Sequence, residues 1–446
     1  MGYMSRNNRR PAEYASKGGH ITIINQPAIN TFLERCSLPP RCGEVEMLPV
    51  NLVDVQIPEK NPIEIIIAID GGYGEAVVQK EFPSSTITFF NVGALMFRVS
   101  DLENLKTVPF IDPTDIARLK NIQRFPFVLP IKNISLGGNT LTNSVRLALF
   151  EFFSQSQDGE KPFIEALRWL IFQQYKGGKL KTTWNLASCP SCEARNIEIK
   201  DSMGDQFNCP DCGKRIYLTD IFRLHEVIDD EQGAGGVVGY TMGLLEQILM
   251  VHLIKTIWDM KPELLKSILF IKDGPLAFFG QTANIHKPMR ELVAFLAQKG
   301  GETPYINMVG IEKSGAFVDH AHDVKSKLGP GQTLILDNDY IYKYIIPGTA
   351  DPGSPYGRTT YYGNKVIYRT GEDKLYVLTL PTTRLTGSPS WADFPNFDTI
   401  LANVARLKCD MYDDALIPVA LVNKLVSLSQ HPSMVLLEQF AKKQMG

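Results

Sequence analysis

Two short apolar runs, each closed by aspartate and glycine, constrain this chain more than anything else in it. The first is Ile65-Ile66-Ile67-Ala68-Ile69-Asp70-Gly71-Gly72; the second is Ile268-Leu269-Phe270-Ile271-Lys272-Asp273-Gly274-Pro275-Leu276. Short runs rich in β-branched residues and bounded by glycine predict buried strands. An ionised carboxylate ending such a strand is costly to desolvate unless it is paired or binds a cation. Two strand-terminal aspartates therefore predict two carboxylates at adjacent strand ends, as a divalent-metal site needs, with Gly71-Gly72 leaving room for a phosphate. A single Asp-Gly is equally a hairpin turn. The pair, together with Glu246, carries the metal reading. Glu246 lies in a helical stretch that is apolar on nearly every side, where an unpaired carboxylate is expensive.

With 446 residues the chain exceeds the usual size of one compact domain. Its 44% hydrophobic and 21% charged residues suit a globular protein with a real core. A formal net charge of −2 removes any bulk basic signal, so nucleic-acid contact must use local patches. No run of 18 or more apolar residues is present, so no membrane span is expected. Residues 1–10 are polar and basic, without the apolar core of a secretory signal.

Seven cysteines are present; Cys36, Cys42 and Cys409 are scattered and the other four are paired. Cys189-Pro190-Ser191-Cys192 and Cys209-Pro210-Asp211-Cys212-Gly213 stand 16 residues apart. Two such knuckles supply four thiolates to a tetrahedral Zn²⁺, with Gly213 easing the second turn. Four ligands close the site, so its expected role is structural. The polar sequence between the knuckles depends on the metal to fold. This cysteine usage points to a reducing cytoplasm.

The organisation expected is an N-terminal arm (1–60), a first core segment (61–185), the zinc ribbon (186–225), a second core segment (235–345) and a completing segment (346–446). Residues 226–238, acidic and then Gly-rich, read as an exit linker. Residues 140–175, 244–258, 287–299 and most of the last 50 read as helical. Residues 85–97, 305–311, 333–344 and 365–380 read as extended. A strand, a Gly-rich turn and another strand after an aspartate open an RNase H-like sheet. The fold class expected is α/β: an RNase H-like mixed sheet flanked by helices, with an inserted four-cysteine zinc ribbon.

Four ordered segments, Ile67-Ala68-Ile69-Asp70-Gly71-Gly72, Leu244-Leu245-Glu246-Gln247, Ile271-Lys272-Asp273-Gly274-Pro275-Leu276 and Val309-Gly310-Ile311-Glu312-Lys313-Ser314, resemble the NurA nuclease family. The resemblance spans roughly residues 60–430 and implies an RNase H-like core that cuts DNA with Mn²⁺ or Mg²⁺. It implies Asp70, Glu246 and Asp273 as metal ligands and Lys313 as the family's lysine. It further implies a homodimer working with a HerA-type hexameric ATPase, in DNA end processing or in defence against phage. The family also has a tyrosine followed about eight residues later by a histidine on a helix. Tyr412 supplies the tyrosine, but Ala420 stands at the histidine's offset, Asn423 is the nearest polar substitute and His431 lies further on.

Hydrolysis of a phosphodiester by two divalent ions about 3.5–4 Å apart needs hard oxygen ligands. Asp70 is expected between the ions, with Asp273 and Glu246 completing the shell. Lys313 would neutralise the phosphate, and Tyr412 would bond a phosphate or stack on a base. Backbone contacts to DNA are expected from Lys176, Lys179 and Lys181 and from Arg118, Lys120 and Arg124. An ordinary solvated face explains these cations equally well. Two alternatives stay open: a catalytically weak NurA-like adaptor that binds DNA and an ATPase, and an RNase H-like nuclease acting on RNA or RNA–DNA hybrids.

Overall fold

The first Ile-rich run is the spine of a nine-stranded mixed sheet. The computed structural model describes residues 19–46, 51–101, 122–156, 159–177, 181–301, 303–349, 351, 353–409, 412, 414–428 and 432–445. The strands are β1 (Leu52–Asp54), β2 (Ile65–Gln79), β3 (Ser85–Arg98), β4 (Ile122–Lys132), β5 (Thr183–Ser188), β6 (Arg195–Lys200), β7 (Gln206–Asn208), β8 (Arg215–Tyr217), β9 (Ile268–Asp273), β10 (Met308–Glu312), β11 (Gln332–Ile335), β12 (Gly363–Arg369) and β13 (Leu375–Pro381). The helices are α1 (Gly19–Ile24), α2 (Pro27–Glu34), α3 (Leu141–Ser154), α4 (Phe163–Ile171), α5 (Val238–Met260), α6 (His286–Lys299), α7 (Ala316–Val324), α8 (Asn338–Tyr344), α9 (Phe397–Arg406), α10 (Ile417–Val426) and α11 (Ser433–Met445).

The sheet runs β1-β11-β12-β13-β10-β9-β2-β3-β4. β2, β3 and β4 form an antiparallel meander, β9 joins β2 in parallel, and β10 joins β9 in parallel. The order β4-β3-β2-β9-β10, with these directions, is that of an RNase H-like sheet. Beyond β10 the chain adds four antiparallel strands.

Side chains alternate across the sheet and build a core on each face. Ile67, Ile69 and Phe270 face a first core shared with α3, α4, α5 and α6. Ile66, Ala68, Leu269 and Ile271 face a second core capped by α9 and α10. A third core lies between β11, β12 and β13 and helices α7 and α8.

β2 does not stop at Asp70. It continues to Gln79 because residues 71–77 keep pairing with β3 after β9 has ended. Asp70 is therefore mid-strand, whereas Asp273 is the last residue of β9. Residues 333–344 are not continuously extended: Asp337 accepts from the Tyr340 backbone N–H at 2.7 Å and starts α8. Residues 226–238 are no linker; short helical turns there bury Ala234 and Val237 in the first core. The stretch Gly235–Met260 has the length and mean hydropathy, 1.5, of a membrane-crossing helix, yet 78% of its apolar window is buried inside the fold.

The cysteine segment packs on α3 and α4. Leu186, Ile197, Ile199 and Ile216 belong to the first core. Arg146 on α3 makes a two-pronged buried pair with Asp220, and Arg168 on α4 holds Asp201 and Asp205.

Candidate active site

The strand register brings the two aspartates together. Ile69 on β2 lies beside Lys272 on β9, so Asp70 and Asp273 are the next residues on each strand. Both project to the side of the second core. Asp70 is 3% exposed; its Oδ1 accepts from the Gly71 backbone N–H at 2.7 Å and its Oδ2 from Asn423 Nδ2 on α10 at 2.8 Å. Burial, and then the neighbouring Asp273 charge, push the Asp70 carboxyl up to about 6. Asp273 Oδ2 accepts from Lys313 Nζ at 2.6 Å, just beyond the end of β10.

Glu246 approaches from the opposite face, on α5. Gly71 admits it: a Cβ there would lie 2.0 Å from Met242 Cε and 3.4 Å from Glu246 Oε1. Gly72 admits α10 on the other face, since its Cβ would lie 2.9 Å from the Val426 carbonyl oxygen. The two glycines therefore make room for helices, not for a phosphate. Glu246 Oε2 is 2.5 Å from Lys272 Nζ. Burial raises the Glu246 carboxyl to about 7, against the pull of Lys272 and with the help of the Asp70 and Asp273 charges.

Asp70, Glu246, Asp273 and Lys313 thus meet around the open end of β9. Tyr412 does not join them. It is 51% exposed in the loop between α9 and α10, and among the described residues no hydrogen bond or ring contact links it to the carboxylates. Asp414, beside it, pairs with His322 of α7 at 2.9 Å. Ala420 is buried in a small cluster with Cys409 and Ala415. His431 lies outside the described residues, as do Arg118, Lys120 and Lys179. Arg124 is exposed on β4, Lys176 bonds Gln173 at 2.7 Å, and Lys181 lies 4.8 Å over the Trp184 ring.

Sequence reasoning passed over Lys272. A lysine one residue from the end of an apolar strand run is a signal in itself, because a buried ammonium needs a carboxylate partner. Glu312 and Lys365 form a second buried pair, with Lys365 also facing the rings of Phe317 and Tyr361. These two were equally unmarked.

Two buried carboxylates and a half-buried third, without sulfur or imidazole, suit a hard divalent cation. The cysteines suit a softer one. Cys189 Sγ is 3.9 Å from Cys212 Sγ, Cys192 Sγ is 3.8 Å from Cys209 Sγ, and all four lie within 4.8 Å of one another. Among the described residues no other group of three or more cysteines, histidines or carboxylates is drawn so close. The backbone N–H of Ser191 donates to Cys189 Sγ at 3.4 Å, as knuckles around tetrahedral metal do.

No family model matches the chain, and no curated protein does. Solved structures similar to it include two of a nuclease. "Crystal structure of the NurA nuclease from Sulfolobus solfataricus" shares 10% identity over 87% of this chain and 87% of its own, at a TM-score of 0.30. "Crystal structure of NurA" shares 9% identity over 96% of this chain and 97% of its own, also at 0.30.

Proposed function

We propose that this chain is a divalent-metal-dependent DNA nuclease. The observation that carries the reading is the placement of Asp70 and Asp273 side by side on parallel strands, facing the same way, with Lys313 at their open side. A bound Mn²⁺ or Mg²⁺ would supply charge neutralisation and an activated water. Asp70, Asp273 and Glu246 are the residues to hold it. The Gly71 N–H and the Asn423 amide fix the orientation of Asp70. The last turn of α10, packed on Gly72, keeps water from that side of the carboxylate. Lys313, a third exposed, can leave Asp273 and set its ammonium against a phosphate oxygen. Zn²⁺ is the ion proposed for the four cysteines, in a structural role.

The motif resemblance also supports a homodimer, a HerA-type hexameric ATPase as partner, and work in DNA end processing or phage defence within the cytoplasm. The test is cleavage of linear DNA, matched RNA and an RNA–DNA hybrid by the purified chain with Mn²⁺ or Mg²⁺. DNA is cut in preference, and Asp70→Ala abolishes cutting. Preference for the hybrid would instead favour the RNA-directed reading. A second reading rests on Asn423, which stands on Asp70 where the resemblance implies a histidine: a catalytically weak adaptor that binds DNA. Absence of cleavage with every metal and with the ATPase, but retained DNA binding, selects it.

A further inference from the structure

The site holds two lysines, and they are not alike. Lys313 is 32% exposed and contacts only the rim of the site through Asp273. Lys272 is 5% exposed, and its strand neighbours Ile271 and Phe270 are buried on either face. Its Nζ is 2.5 Å from Glu246 Oε2 and also donates to the Asp273 carbonyl oxygen. A long side chain so confined has no solvent to swing into. An ion entering the site can displace Lys313, but Lys272 stays.

We propose that Lys272 is a resident cation that takes the place of one metal ion, so that the carboxylate site binds a single divalent ion per chain. This rests on the nuclease reading above. With all three carboxylates ionised, as a bound cation requires, the two ammoniums leave one net negative charge at the site. One divalent ion brings that to one net positive, which a phosphodiester offsets. Two would leave a strong positive excess in a largely buried site. The donor positions agree. Glu246 is engaged by Lys272 on the side of the first core, while Asp70 and Asp273 face the side of the second, and the three carboxylates do not all lie within 4.8 Å of one another. Lys272 thus occupies Glu246 Oε2 and leaves Oε1, on the Gly71 side, to join Asp70 and Asp273 around a single ion.

The experiment counts Mn²⁺ bound to the full chain, its cysteines loaded with Zn²⁺, by the loss of the free-ion electron paramagnetic resonance signal. Wild type binds one Mn²⁺ and Lys272→Met binds two, the second ion taking over Glu246 Oε2. Lys272→Gln serves as a second neutral variant with the same expected count should the methionine variant not fold. Two ions on wild type overturn the inference and leave the nuclease reading standing. A single ion on wild type and on a folded neutral variant also overturns it, since Lys272 would then not set the count. No ion on wild type removes the nuclease reading and the inference together.

Discussion

Asn423 donates its side-chain amide to Asp70 Oδ2 at 2.8 Å, from a helix turn that also covers Gly72. The bond favours the ionised carboxylate and so opposes the burial that raises its pKa. Asn423→Ala removes that donor while Asp70 stays buried. The carboxyl then titrates above about 6, and Mn²⁺ affinity at pH 7 falls by about ten- to a hundredfold, the worth of one hydrogen bond to a charged group. Calorimetric titration of Mn²⁺ into both proteins checks this. Equal affinities would show that Asn423 only packs.

Asp70 and Glu246 set a pH dependence whose sign follows from linkage. Asp70 moves from 3.8 to about 6, and Glu246 from 4.5 to about 7. Between those values the folded chain holds protons that the unfolded chain has released. The contribution to stability is complete below about pH 4 and is lost as pH rises to about 7. A divalent ion binds the deprotonated forms, so its stabilising effect grows over the same window. Thermal melts from pH 5 to 7.5 should show the Mn²⁺ increment rising in wild type and a flatter profile in Asp70→Asn. An increment that falls with pH would contradict the assignment.

The parts of this site that sequence made legible are those with a local signature. Ile65 to Ile69 and Ile268 to Ile271 declare strands by composition, and the four cysteines declare their cluster by spacing. What stayed hidden depends on pairing across the sheet. Nothing near Asp70 reveals that β3 continues past β9 and carries the strand on to Gln79. Nothing near Gly71 reveals that Met242 and Glu246 sit on it, because the partner lies about 170 residues away in sequence and meets it only through the register. Lys272 was written in plain view, but its meaning required knowing which face of β9 met α5. The turn at Asp337 that ends β11 is a capping effect, which overrode the β-branched pattern before it.

The two glycines after Asp70 differ in how they respond to a methyl group. At Gly71 the added Cβ meets the flexible end of Met242, which can turn away. At Gly72 it meets the backbone of Val426 and Ser427, which cannot move without lifting α10. Gly72→Ala should therefore cost about 2–3 kcal/mol, near the upper end for overpacking, and Gly71→Ala about 1 kcal/mol or less. Met242→Ala should relieve the strain part of the Gly71→Ala cost and leave that of Gly72→Ala untouched. Urea unfolding of the single and double variants measures both. Equal costs at the two positions would mean that α10 yields as easily as a methionine.

The cysteine cluster is joined to the main core, so loss of its metal should be felt well beyond the ribbon. Leu186, Ile199 and Ile216 pack in the same core as α3 and α4, and Arg146 is bound to Asp220 by two hydrogen bonds with both side chains buried. A ribbon that loosens pulls Asp220 from Arg146 and leaves an unpaired charge on α3, at a cost of about 3–5 kcal/mol. Chelation of the bound metal should therefore lower the melting temperature and speed hydrogen exchange in residues 141–154 and 163–171 as well as in 183–217. Arg146→Ala should produce the same exchange pattern in α3 with the metal still bound. Faster exchange confined to 183–217 after chelation would show instead that the ribbon unfolds by itself and that Arg146 keeps its partner when it does.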